Sequence, residues 1–100
     1  MSLTVQIEGE NGSRVGEPWW HARSTELLAA DYPGTCCLQF IDPYGNTIFN
    51  QAQLPVLLEE LQALRARLHD AELVSVIDAL SAFVQRALDR VHIYVRFIGD

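Results

Sequence analysis

His92, Tyr94 and Arg96 recur at every second position near the C-terminus, the spacing that sets three polar side chains on one side of an extended strand. If a strand from residue 36 pairs beside it, Cys37 and Gln39 join that face. A thiol beside an imidazole is the minimal nucleophile and base of a cysteine enzyme. The usual companions are missing, since no Gly-rich oxyanion loop or strained nucleophile turn accompanies them. A buried thiol and a solvated polar sheet face are the competing expectation.

Other chemistry is weakly supported. His21, His69, His92, Cys36 and Cys37 are the candidate soft and borderline metal ligands, and none stands at Cys-x-x-Cys or His-x-x-x-His spacing. The acidic residues form no calcium-loop pattern. Gly9-Glu10-Asn11-Gly12 and Tyr44-Gly45-Asn46 read as turns, and neither leads into a helix with the lysine of a phosphate cradle. The expectation is therefore no metal and no cofactor.

Aromatic residues are the remaining feature. Trp19 and Trp20 follow Pro18, and Tyr44 sits in an Asp-Pro-Tyr-Gly-Asn turn, two kinds of place where large amphipathic side chains stay exposed. Adjacent tryptophans seldom reach the same core, so one is expected to cap it and the other to meet a sheet edge or another molecule. Trp, Tyr and Arg dominate interface hot spots, which makes Trp19, Trp20, Tyr44, Tyr94 and Arg96 the candidate partner-binding residues. The aromatics would be anchors and Arg96 a planar donor to a carboxylate or carbonyl.

Charge narrows the choice of partner. The 100 residues carry 13 acidic and 7 basic side chains, net −6, and every basic residue is arginine. Without lysine there is no Schiff-base chemistry, and without a basic run there is no supply of phosphate contacts, so nucleic acid and anionic membrane surfaces are not expected. The field of an acidic domain favours a basic partner. No secretory signal pattern and no apolar run of membrane-spanning length is seen, and the two cysteines are adjacent, so a cytoplasmic, reducing location is expected.

The elements that must position these residues follow from periodicity. Leu3, Val5 and Ile7 alternate with polar residues as a half-buried strand does, and Asn11-Gly12 signals a two-residue hairpin turn before a returning strand from Arg14 to Glu17. Ser24 or Thr25 opens a short helix through Ala30, closed by Tyr32-Pro33-Gly34. Residues 36 to 50 read as a second hairpin about the turn at Asp42-Pro43-Tyr44-Gly45-Asn46.

The apolar period then becomes helical. Leu54, Leu57, Leu58, Leu61, Leu64 and Leu68 form one stripe, and Leu73, Ile77, Leu80, Val84, Leu88 and Val91 form another. Projection at 100° per residue sets the two stripes about 120° apart, so a single straight helix could not bury both. Such a rod would also run roughly 55 Å, against a radius of gyration of about 13 Å for a domain this size. A break at His69-Asp70, with Asp70 as N-cap, gives a helical hairpin. Ile93, Val95 and Phe97 mark the buried side of the last strand.

These elements predict one compact domain over residues 1–100 in the α+β class. It is read as a mainly antiparallel sheet of about five strands, ordered β-hairpin, short helix, β-hairpin, two-helix hairpin, β, with the helices packed on one face. The functional expectation is a small acidic soluble interaction module, non-catalytic, of inhibitor- or immunity-like class, that binds another protein or itself as a homodimer. The alternative is a small enzyme or ligand-binding domain using Cys37, His92 and Tyr94 on the open sheet face.

Overall fold

The computed structural model describes residues 3–28, 30 and 32–99. Met1 and Ser2, which entered the reading of the N-terminus, and Ala29, in the expected short helix, lie outside the described residues.

Strand β1 (Thr4–Gly9) turns into β2 (Arg14–Trp20) through Glu10, Asn11 and Gly12. Four residues separate the strand ends, and the Gly9–Ser13 hydrogen bond closes a loop of three inside them, not the expected two. Gly12 N–H donates to Gly9 O at 3.0 Å and Gly9 N–H to Ser13 O at 2.9 Å, which closes a tight turn followed by a left-handed residue. Gly12 takes that position at φ +83°, where a side chain would be strained. β2 runs on through Pro18 to Trp20, past the expected end at Glu17. The extension is tolerated because β2 is an edge strand, where a missing N–H leaves no ladder bond unmade.

After the short helix α1 (Ser24–Leu28), the chain departs from expectation. Residues 36–41 form no strand, so the segment from 36 to 50 is not a hairpin, and among the described residues the sheet has four strands, not five. The backbone donors explain this. Glu60 on α2 accepts from Cys36 N–H at 2.5 Å, Cys37 N–H at 3.0 Å and Leu38 N–H at 3.0 Å, so these groups are committed to a carboxylate and not to a ladder. Cys37, Leu38 and Ile41 fill the core, with one 3₁₀ turn at Leu38–Phe40. The turn itself forms as expected, with Asp42 Oδ1 accepting from Tyr44 N–H at 2.9 Å. Strand β3 (Asn46–Asn50) follows it.

Helices α2 (Leu54–Arg67) and α3 (Ala71–Leu88) are separate, with the break at the expected place. Pro55 sits in the first turn of α2, where its missing N–H costs nothing. Asp70 caps α3, accepting from Glu72 N–H at 2.9 Å and Leu73 N–H at 3.3 Å. Arg65 spans the helical hairpin to Asp78 at 2.6 Å. Strand β4 (Ile93–Ile98) then enters the middle of the sheet, in the order β2-β1-β4-β3, with every pairing antiparallel. The Cα radius of gyration is 12.5 Å.

The core lies between one face of this sheet and the helices. Val5, Ile7, Phe49, Val95 and Phe97 meet Leu54, Leu57, Leu61, Ile77, Leu80 and Val84 there, all buried. Phe49 and Phe97 pack edge to face with centroids 5.7 Å apart.

One ion-pair cluster ties α1 to the start of α3. Arg23 reaches Glu26 at 2.6 Å, Asp70 at 2.9 Å and Glu72 at 2.7 Å. The Arg23 guanidinium, with the Leu73 N–H, holds the Asp70 carboxyl below its ordinary 3.8, and Arg65 does the same for Asp78. Depressed folded values mean that this stabilisation is complete above the unfolded carboxylate value and disappears as pH falls through the folded ones. Thermal midpoints should therefore be level between pH 7 and about 5 and fall below about 4. Asp70→Asn keeps a capping oxygen and removes the charge, so it should flatten that acid limb in calorimetric scans across pH. An unchanged acid limb would disprove the linkage.

Candidate functional site

The register of the sheet assembles a surface from side chains that face away from the helices. Trp20, Thr4, Ile98 and Asn46 lie in one row across β2, β1, β4 and β3. Gln6, Arg96 and Ile48 form the next, and Arg14, Glu8, Tyr94 and Asn50 the third. Trp20 is 56% exposed, Ile48 48% and Tyr94 38%.

Their centre is polar and already dry. Glu8 is only 5% exposed, and its Oε2 stands 2.7 Å from Arg96 Nε. The Nε–H is not aimed along this contact, so the pair is held by charge and not by an aligned hydrogen bond. Gln6 Nε2 donates to the same oxygen. Beside the pair a shallow depression of about 190 Å³ is lined by Glu8, Glu10, Gly12, Ile48, Tyr94 and Arg96.

Three of the five expected partner-binding residues, Trp20, Tyr94 and Arg96, share this face. Tyr44 is exposed but stands apart on the turn at 42–45, which is joined to the end of β4 by Gly99 N–H donating to Gly45 O at 2.7 Å. Trp19 points the other way. It pairs opposite Val5 and packs partly against the core, beside Val15 and α3. The two tryptophans thus divide as alternation along a strand requires.

Sequence reasoning passed over Glu8 and Ile48. Alternation in β1 marked Glu8 as polar and outward, but nothing local showed that Arg96 and Gln6 would enclose it. Ile48 and Phe49 are both apolar, and only the pairing with β4 decides that Phe49 turns inward.

The expected thiol and imidazole pair is not assembled. Cys37 is buried under α2, its Sγ 3.9 Å from Gln53 O, whereas His92 is exposed at the entrance to β4, 3.4 Å from Glu10. Gln39 belongs to the 3₁₀ turn and not to the sheet face. Burial, with the Glu60 carboxylate and Cys36 adding to it, pushes the Cys37 thiol up to about 11. At pH 7 that leaves about one thiolate in ten thousand. An aromatic disulfide reagent should therefore modify only Cys36 in the folded protein and reach Cys37 after denaturation. Equal native reactivity of both thiols would contradict this burial.

Among the described residues, no three His, Cys, Asp or Glu side chains are grouped to hold a metal ion, and no helix is long and apolar enough to cross a membrane. Comparison with protein-family models, with curated proteins and with solved structures finds no match to this chain.

Proposed function

We propose that this chain is a non-catalytic protein-binding module that docks a basic protein partner on the open face of its sheet. The observation that carries this reading is the arrangement of Trp20, Ile48, Tyr94 and Ile98 around the enclosed Glu8–Arg96 pair. Docking a charged surface normally costs the desolvation of its ions. Here Glu8 is buried before any partner arrives, so its desolvation adds nothing to the cost of association, and Trp20, Ile48 and Tyr94 supply the exposed apolar and aromatic area around it. The net charge of −6 favours approach of a cationic protein.

The test is affinity capture from the native host, with the intact chain and a Trp20→Ser/Tyr94→Ser variant compared side by side. Both residues are exposed, so the variant should melt within a few degrees of the wild type. A basic protein retained by the intact chain and lost with the variant supports the reading. Equal retention by both places the interface elsewhere. A dimer seen by light scattering, and dissociated by the same substitutions, would assign the face to self-association instead.

A further inference from the structure

On the opposite side of the sheet a groove of about 360 Å³ separates β2 from α3. Its volume lies within the range of small-ligand clefts, about 300–1,000 Å³. We infer that it binds a small amphipathic monocarboxylate, with the apolar body on the floor of the groove and the carboxylate between Arg86 and Arg90.

The groove exists because β2 leaves the regular ladder. Val5 pairs with Trp19 and Ile7 with Val15, so Gln6 alone stands opposite Gly16, Glu17 and Pro18. Gly16 takes φ +73° to allow this irregularity. Val15 and Trp19 alternate to the helix side in any case, and the irregularity brings Trp19 opposite Val5, where with Val15, Ile7 and Phe83 it makes an apolar floor.

The charges point to the class of ligand. Of the seven arginines, Arg23, Arg65 and Arg96 are tied to carboxylates. Arg86 and Arg90 form no ion pair among the described residues, and both line this groove. Arg86 lies in the last turn of α3 and Arg90 just past its end, and both border the groove. The Arg86 guanidinium lies 5.2 Å from the centroid of the Phe83 ring, which holds the cation over the apolar floor. Two unpaired guanidiniums beside an apolar cleft form a local reversal of sign in a chain of net −6.

A helix C-terminus ordinarily repels an anion through its free carbonyls. Here Gln51 Nε2 donates to the carbonyls of Leu88 and Arg90, which reduces that opposition. Among the described residues lining the groove, Glu17 on the β2 rim is the one acidic group, and it disfavours a second negative charge on the ligand.

The experiment uses octanoate as the probe, with octan-1-ol and the dicarboxylate suberate as comparators. Calorimetry follows affinity and the two indole N–H signals in NMR report location, with Trp20→Phe identifying which signal is which. Saturable binding of octanoate should move the Trp19 signal and leave Trp20 still. Binding of octan-1-ol, of suberate, and of octanoate to Arg86→Gln/Arg90→Gln should each be at least tenfold weaker. The Arg86→Lys/Arg90→Lys variant should retain binding, and Arg67→Gln, which removes an arginine on α2, should leave it unchanged. Equal affinity for the alcohol, equal affinity of the Gln double variant at an unchanged melting temperature, movement of Trp20 alone, or no saturation at millimolar octanoate would each overturn the assignment. Neither of the residues altered to test the sheet face lines this groove, so failure here leaves the docking reading standing.

Discussion

Arg96→Ala is expected to destabilise the fold by about 3 kcal/mol, the lower end of the cost of breaking a buried ion pair, because Arg96 retains some exposure. The substitution removes the partner of a carboxylate that is 5% exposed and has little water to turn to. Gln6 still donates to Glu8, but a neutral amide does not neutralise the charge. In a domain of this size each kcal/mol moves the thermal midpoint by about 4–8 °C, so the loss should be about 15 °C. The double change Glu8→Leu/Arg96→Leu should fall much closer to the wild type, since apolar replacement of a whole pair is often neutral. Urea unfolding of Glu8→Leu, Arg96→Leu and the double variant closes the cycle. A loss under 1 kcal/mol for Arg96→Ala would show that Glu8 is solvated and that the centre of the face is not dry.

Phe97→Ala should cost more, about 3–5 kcal/mol for the removed ring and the cavity it leaves. Phe97 is fully buried in β4, the strand that holds β1 and β3 together, and sits between Val5 and Thr47 in the pairing. Loss of its edge-to-face contact with Phe49 adds to this, because such pairs contribute about 0.5–1.5 kcal/mol beyond burial. Domains of this kind have about 5–15 kcal/mol in all, so the variant should approach half-unfolding at moderate temperature. Phe97→Leu retains most of the volume and should cost well under half as much. Equilibrium urea titration followed by far-UV circular dichroism separates the two. A cost below 2 kcal/mol for the alanine variant would mean that the core does not centre on β4.

Both effects depend on residues far apart in the chain, which is where the sequence ceased to be a guide. The helices were legible because their signals are local. Leu54, Leu57, Leu61 and Leu64 repeat at the period of one helix, Pro55 fits only its first turn, and Asp70 meets the donors two and three residues ahead. Alternation alone likewise identified β1 and the inward set Ile93, Val95 and Phe97 of β4. The run at 36–41 misled because its fate depends on Glu60, a side chain in another element, and an apolar stretch of that length suits a strand or a core-filling loop equally well.

The amino-acid sequence by itself thus determined the α+β class, the break between the two long helices and the acidic balance, and it supplied the aromatics and Arg96 from which the proposed docking face is drawn. Tertiary structure alone decided which of them stand together. Inserting β4 between β1 and β3 set Arg96 against Glu8 and left Tyr94 and Ile48 outside, while the irregularity in β2 brought Trp19 opposite Val5 and Trp20 opposite Thr4. Periodicity reports how side chains alternate within one element. Strand order and register fix which elements become neighbours, and they minimise the free energy of the whole core and not of any single segment.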